Sequence, residues 1–382
     1  MKKNNKRNIK LLSFPGPNDP NPYIGLFYDA LSAHGIDLAG ELIFDFEWFK
    51  KNIDLFDGIH LHWPESLWRF YSPPLLKTLR NSNIRGAWRL SEILGKIFFV
   101  YFNKKKRQWF KKNIDYIKNQ NKKIIWTCHN IKPHEDFNAL DSSGIQILAD
   151  CADLIIFHSE WAENQFRKRY KIRSATVVMY HGNYQGVYPC PREKSVVMHE
   201  LGFSPDKPIV GFLGNIREYK GLDIACKAMA SLSDSVQFLC AGSPFHSYDL
   251  DGLKHDISMI ENAVLVPRRI SDQEFSDYAN LCEFLLLPYW EITGSGALLA
   301  CLTLGKGVVA SDLTFFRDML SKSPEAGFLF ETGNPKALGW SIRKYLEIPA
   351  EVRSRAALDL SNKYKWSEVV FPAAKMIQNI FI

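Results

Sequence analysis

Several features are scarce in this sequence, and each scarcity removes a class of protein. Its seven cysteines (Cys128, Cys151, Cys190, Cys226, Cys240, Cys282, Cys301) lie far apart and include no Cys-x-x-Cys pair. That argues against a disulfide framework or a zinc knuckle, and for small buried hydrophobes in a reducing cytoplasm. Long apolar runs are missing too. The uncharged stretch 292–305 contains three glycines and falls short of the roughly 18 to 20 apolar residues that span a bilayer. Behind the basic segment 1–10, the apolar run 11–14 stops at Pro15, shorter than a signal-peptide core of about 7 residues. Low hydrophobicity, the mark of disorder, is also absent, because 46% of the residues are hydrophobic and 13% aromatic. With 382 residues the chain can form two or three domains of about 100 to 200 residues, each with its own core.

The net charge of +7 is concentrated in one segment. Residues 85–123 hold twelve Lys or Arg against Glu92 and Asp115, a net +10, so the rest of the chain stands at −3. The segment is also apolar at spacings of three and four, through Leu90, Ile93, Leu94, Ile97, Phe98, Tyr101 and Phe102, then Trp109, Phe110, Ile114 and Ile117. An amphipathic helix of this kind can lie on an anionic membrane, with Lys104, Lys105, Lys106 and Arg107 at the headgroups and Trp109 and Phe110 as anchors. It can equally pack on a core and leave a solvated basic face. Nucleic acid is not expected as a partner, since no recognition motif accompanies the charge.

Short apolar runs bounded by turn residues alternate with helical stretches, at 9–14, 58–62, 123–128, 153–158 and 175–180, then again at 209–214, 236–240, 263–267, 284–287 and 307–311. Strand, crossover helix, strand is the pattern of a parallel sheet covered on both faces. Two such series predict an α/β protein of two Rossmann-like domains, 1–190 and 191–360, followed by a terminal helix within 361–382 that could cross back to the first domain. The boundary falls where Gly182, Gly186, Pro189, Pro191 and Pro205 interrupt the pattern.

Ligands of open parallel sheets bind at the carboxyl ends of the strands. After the strand at 209–213 come Gly214, Arg217 and Lys220, two cations beside the start of a helix, suited to a diphosphate. After the strand at 284–287 come Thr293, Gly294, Ser295 and Gly296, two glycines and two hydroxyls before the apolar helix 297–304.

These segments, Gly-Asn-Ile-Arg-Glu-Tyr-Lys-Gly at 214–221, Leu-Pro-Tyr at 287–289, Thr-Gly-Ser-Gly-Ala-Leu-Leu-Ala at 293–300 and Gly-x-x-Val-Val-Ala-Ser at 305–311, resemble the donor domain of GT-B glycosyltransferases. With Asn-Pro-Tyr at 21–23, His-Leu-His-Trp-Pro-Glu at 60–65, Trp-Thr-Cys-His-Asn-Ile-Lys-Pro-His-Glu at 126–135 and His-Gly-Asn-Tyr at 181–184, the chain resembles bacterial exopolysaccharide glycosyltransferases, in particular glycolipid beta-mannosyltransferases of the xanthan and acetan type. The resemblance implies a nucleotide-sugar donor in the C-terminal domain, an acceptor in the N-terminal domain and reaction in the cleft between them. Arg217 and Lys220 then neutralise the leaving diphosphate, and Gly214, Thr293, Gly294, Ser295 and Gly296 complete its site. No cofactor or metal is expected, and the Asp-x-Asp at 249–251 is treated as a chance match.

Retaining relatives carry a pair of Glu in the second loop; on the register set by Gly305 those positions are Ile292 and Ala300, with Glu291 one residue away as a substitute contact to the donor sugar. This departure favours inversion, which needs a general base from the N-terminal domain. His129 by resemblance contacts the donor sugar and joins Glu65 and Glu135 as a catalytic candidate; Glu65 and Glu135 are base candidates of equal rank. Asn21, Tyr23 and His181 are assigned to the acceptor side. His60 and His62 share one side of a strand, a pattern of packing or of a metal pair. The expectation is a metal-independent, inverting transferase on the inner face of the plasma membrane, moving mannose from GDP-mannose to a lipid-linked saccharide. The alternatives are a retaining transferase using a UDP-sugar, and a non-catalytic scaffold of a polysaccharide assembly complex.

Overall fold

The computed structural model describes residues 7–19, 21–69, 87–131 and 139–382, with side chains except at 87–100 and 139–140. Two compact units result, Met1–Met179 with Val370–Ile382, and Tyr180–Val369.

The N-terminal unit is built on six parallel strands: β1 (Ile9–Phe14), β2 (Ile36–Glu41), β3 (Gly58–His62), β4 (Lys123–Cys128), β5 (Leu154–Phe157) and β6 (Ala175–Val178), in the order β2-β1-β3-β4-β5-β6. The strand order reverses between β1 and β3, where a doubly wound sheet opens its ligand crevice. Every residue of β3 is buried, as expected of a central strand covered on both faces. The C-terminal unit repeats the plan with β7 (Ile209–Leu213), β8 (Gln237–Ala241), β9 (Ala263–Val266), β10 (Phe284–Leu287), β11 (Val308–Ser311) and β12 (Gly327–Phe330), in the order β12-β11-β10-β7-β8-β9. Its reversal lies between β7 and β10, so the loops leaving these two strands flank one crevice.

Strands β2 and β12 have no counterpart among the apolar runs singled out in the sequence. Both are edge strands with one buried residue each, Ile36 and Phe330; β2 is interrupted by Asp37 and Gly40, whereas β12 is a short apolar run, Gly-Phe-Leu-Phe, that was not among those predicted. The boundary expected at 190/191 falls at 179/180 instead, because the segment beyond Met179 is tied into the C-terminal unit. Asn183 N–H donates to Tyr364 O at 2.7 Å, its Nδ2 donates to Ser361 O at 3.0 Å, and Arg192 pairs with Asp277 at 2.7 Å. The terminal stretch is not one helix. Trp366–Val369 stays with the C-terminal unit, its Trp366 Nε1 donating to Asn183 O at 2.8 Å. Phe371–Ile380 belongs to the N-terminal unit, burying Ala373, Ala374 and Ile377 and donating from Gln378 Nε2 to His34 O at 2.7 Å.

The basic segment forms a helix, Ala87–Asn119, but its second half is not a membrane face. Phe110, Ile114 and Ile117 are wholly buried in the N-terminal core and Trp109 packs edge-on to Phe44 at 5.3 Å. Lys106 donates to Arg69 O at 2.7 Å, and Arg107 donates to Ser143 Oγ. Of the expected anchors, Phe110 is thus a core residue and Trp109 is half-buried against that core, because burial among aromatic neighbours is the larger gain for them. Lys104 and Lys105 remain on the exposed face with the half-exposed Tyr101. Among the described residues no helix is long and apolar enough to cross a membrane.

Candidate active site

In the N-terminal unit the carboxyl ends of β3, β4 and β5 converge on four imidazoles. Alternation along β3 puts His60 and His62 on one side, with ring centroids 4.0 Å apart. His129 follows β4 and His158 follows β5. His60 is held by Tyr28 Oη at 2.9 Å and Thr127 Oγ1 at 2.8 Å. His62 Nδ1 lies 3.1 Å from His129 Nε2, and His158 Nδ1 donates to Met179 O at 2.9 Å. Trp63, at φ 41°, stacks flat on His129 with centroids 4.0 Å apart. Burial disfavours the charged ring, so His60 titrates at about 3, His158 at about 4, and His62 well below the ordinary value. These rings are neutral at physiological pH. The His60 and His62 pair is a packed, hydrogen-bonded element, and among the described residues no group of three or more His, Cys, Asp or Glu could hold a metal ion.

Tyr23, expected on the acceptor side, is fully buried at the start of Tyr23–Ser32. Its ring meets His129 edge-on at 4.8 Å, and His62 and His158 at 5.6 and 5.5 Å. It is a wall of the imidazole cluster. Asn21 accepts from Tyr23 N–H at 3.1 Å and so shapes the turn into that helix. Glu65 opens the short helix Glu65–Trp68 directly after β3; burial raises its carboxyl above the ordinary range, against the nearby Arg69 guanidinium, which lowers it. Arg69 is taken up by Asp141 in a two-pronged pair, 2.6 and 2.7 Å. Glu135 lies outside the described residues.

In the C-terminal unit Gly214, at φ 125°, lets the chain leave β7, and Gly221, at φ 67°, opens the helix Leu222–Ala230. A Cβ on Gly221 would sit 1.9 Å from Pro288 O, so only glycine allows the two loops to touch backbone to backbone. Trp290 N–H donates to Tyr219 O at 2.8 Å and fastens them further. Lys220 is the unusual residue. It is 8% exposed, packed over the rings of Phe212 and Tyr289 at 5.8 and 5.4 Å, and among the described residues its ammonium has neither hydrogen bond nor acidic partner. Burial first, and the neighbouring Arg217 second, lower its titration to about 8. Arg217 lies over the Phe245 ring at 4.6 Å.

Ser295 caps the helix Gly296–Thr303, its Oγ accepting from Leu298 N–H at 3.0 Å. Thr293, Gly294 and the half-buried Glu291 lie on the same loop. His181, expected on the acceptor side, belongs to the C-terminal unit. Its Nε2 and the hydroxyl of Tyr184 crowd the start of this helix, 3.3 and 2.6 Å from where a Cβ on Gly296 would be. Phe245 and His158 were not picked out from the sequence, and Tyr184 and Tyr289, though they stand in the quoted motifs His-Gly-Asn-Tyr and Leu-Pro-Tyr, were given no role. His158 had a signal of its own, a polar residue at a strand's carboxyl end like His129. Asp249 of the Asp-x-Asp caps Leu250–Ser258, accepting from Gly252 N–H at 3.0 Å, and Asp251 pairs with Lys254 at 3.0 Å.

Two parallel α/β units, each with its polar loops at the carboxyl edge of its sheet, have the architecture of the GT-B fold. Residues 194–360 match the family of glycosyl transferases group 1, and the chain carries that family's domain. It is 23% identical over 316 residues to a GDP-mannose:glycolipid 4-beta-D-mannosyltransferase of Xanthomonas campestris pv. campestris, across 78% of this chain and 72% of that one. In fold it is similar to HepE of Anabaena in complex with UDP and glucose (TM-score 0.67, 16% identity, 97% of this chain and 100% of that one). It is also similar in fold to sucrose-phosphate synthase of Thermosynechococcus elongatus (TM-score 0.66, 15% identity, 98% and 99%).

Proposed function

We propose that this glycosyltransferase takes a nucleoside-diphosphate sugar in its C-terminal unit and transfers the sugar, with inversion and without a metal, to a lipid-linked saccharide. The observation that carries the reading is the largely buried Lys220 side chain, whose ammonium has no acidic partner among the described residues. A buried cation is costly unless an anion compensates it, and a diphosphate between Lys220, Arg217 and the start of Gly296–Thr303 would do so. The charge that grows on the leaving diphosphate is then met by groups already in place. The Xanthomonas relative is named for GDP-mannose and a glycolipid, which supports mannose and a lipid-linked acceptor. HepE, solved with UDP and glucose, supports the second reading, a UDP-sugar.

On the acceptor side, inversion requires a base for the attacking hydroxyl. Glu65, with its carboxyl raised toward neutrality by burial, suits that work, and the neutral imidazoles suit binding of sugar hydroxyls. The exposed Lys104 and Lys105 support a place at an anionic membrane surface.

The test is thermal unfolding with GDP, UDP, GDP-mannose and UDP-glucose, with and without EDTA, on wild type and Lys220→Met. Ligand at about 100 times its Kd should add roughly 2.7 kcal/mol. The expected result is a shift with guanine nucleotides that survives EDTA and vanishes in Lys220→Met. A shift with uracil nucleotides alone moves the donor to the second reading, and no shift with any nucleotide refutes the site.

A further inference from the structure

The loops leaving β7 and β8 are strapped together before either reaches its helix. Gly242, at φ 154°, follows β8, and a Cβ on it would lie 1.8 Å from Gly214 O, so only glycine lets the two turns close on each other. Ile216 N–H then donates to Ser243 O at 2.8 Å, and Phe245 N–H donates to Ile216 O at 2.9 Å. Ile216 itself is wholly buried. These bonds hold Phe245 beside the next residue, Arg217, whose guanidinium lies over the Phe245 ring with Cζ 4.6 Å from the centroid. His246 packs on the same ring, centroids 4.2 Å apart, and Tyr248 N–H closes the turn onto Phe245 O at 2.9 Å.

Arg217 and Lys220 are like charges on one short loop, close enough that Arg217 is the second cause of the low titration of Lys220. Repulsion between them favours an Arg217 side chain turned away into water. An aromatic face attracts a cation, and so offsets that repulsion. A guanidinium seated on a ring gives up none of its N–H donors to it, because they lie in the guanidinium plane. Phe245 thus sets the place of the charge without competing for its hydrogen bonds.

We infer that Phe245 is a positioning residue, seating the Arg217 guanidinium beside Lys220 so that both cations meet one diphosphate. The inference rests on the proposed function, in which Arg217 and Lys220 bind the diphosphate of the donor. It adds that the loop after β8, acting through Arg217, sets how tightly the diphosphate is held.

The test changes the charge distribution of the ring and keeps its shape. Phe245 is replaced in the full chain by trifluorinated and by pentafluorinated phenylalanine, whose fluorines withdraw the negative ring face step by step. Calorimetric titration with GDP and with UDP should show affinity falling along this series to about a fifth of wild type, the scale of one cation–π contact. The melting temperature of the empty protein should stay unchanged. Phe245→Leu should lose as much affinity, and Phe245→Trp should keep it. Equal affinity across the fluorinated series, or losses that only follow the melting temperature, overturns the inference. The seat is also read without nucleotide. In the empty protein the Cδ protons of Arg217 should be shifted upfield by the Phe245 ring current and return to their ordinary position in Phe245→Leu; unshifted protons in wild type overturn it as well. If neither nucleotide binds wild type, the diphosphate reading fails and takes this role with it, whereas nucleotide binding with a flat fluorine series removes the role alone.

Discussion

The two units share one architecture and differ in what they bury at its ligand edge. At the carboxyl ends of β3, β4 and β5 the N-terminal unit buries neutral imidazoles tied to one another, to hydroxyls and to a carbonyl. At the ends of β7 and β10 the C-terminal unit carries the largely buried Lys220, whose ammonium has no acidic partner among the described residues, on loops fitted together by glycine. Neutral donors and acceptors suit hydroxyl groups, whereas an uncompensated cation suits phosphate. The same topology is thus divided between the two kinds of group that a sugar transfer joins, and the division is written in protonation states.

That contrast appears in two separate pH windows, in each of which stability rises with pH. His60, His62 and His158 titrate lower folded than unfolded, so only the unfolded chain takes up protons as pH falls below about 6.5. Their contribution is intact above that pH and shrinks on acidification by about 1.4 kcal/mol per pH unit for each ring. By pH 4.5 the loss from His60 and His158 together is roughly 5 kcal/mol, a large part of the stability of a domain, and His62 acts in the same direction. Urea titrations followed at N-terminal tryptophans should show this loss; a unit as stable at pH 4.5 as at pH 7 would break the comparison.

Lys220 also titrates low in the fold, at about 8, but its window is alkaline. Its burial weakens the empty protein below pH 8, and the penalty fades as pH rises toward 10.5. Lys220→Met should therefore stabilise the unliganded C-terminal unit by about 1 to 3 kcal/mol at pH 7 while removing the nucleotide shift. Denaturant midpoints at pH 7 and pH 10 measure it: the gain should be present at the first and small at the second. A destabilised Lys220→Met would mean that the ammonium has a structural partner after all.

The smallest effect concerns the surface of the N-terminal unit. With Phe110 in the core and Trp109 packed against it, attraction to an anionic membrane rests on charge, and Lys104→Gln should weaken binding to phosphatidylserine vesicles by about 1 kcal/mol, roughly fivefold. Vesicle sedimentation at two salt concentrations checks this. Binding insensitive to salt and to the substitution would point back to apolar insertion.

Much of the fold was legible because central parallel strands are buried at every position, as β3, β7 and β10 are, and so read as short, mostly apolar runs. The edge strand β2 was not, since a strand covered on one side can carry Asp37 and Gly40; β12, Gly-Phe-Leu-Phe, is apolar but too short to stand out. Of the site, the cations and glycines after β7 and β10 could be read from their place between strand and helix. The roles of Tyr23 and His181 could not, because nothing in Asn-Pro-Tyr or His-Gly-Asn-Tyr says whether a side chain turns into its own core or toward the opposite sheet's loop. The helix Ala87–Asn119 shows the same limit: its apolar spacing predicted an amphipathic helix, and that spacing is the same whether the apolar face meets lipid or Phe44.

What the sequence by itself determined is the local chemistry: which segments are strands, where glycine must stand, and which loops bring cations and hydroxyls to a helix start. These follow from periodicity and backbone sterics, which act over a few residues. The tertiary structure alone decided the charge states. A lysine titrates at about 8, and a histidine stays neutral well below its ordinary range, only when neighbours distant in the chain exclude water from it, and burial is a property that no short stretch of sequence possesses.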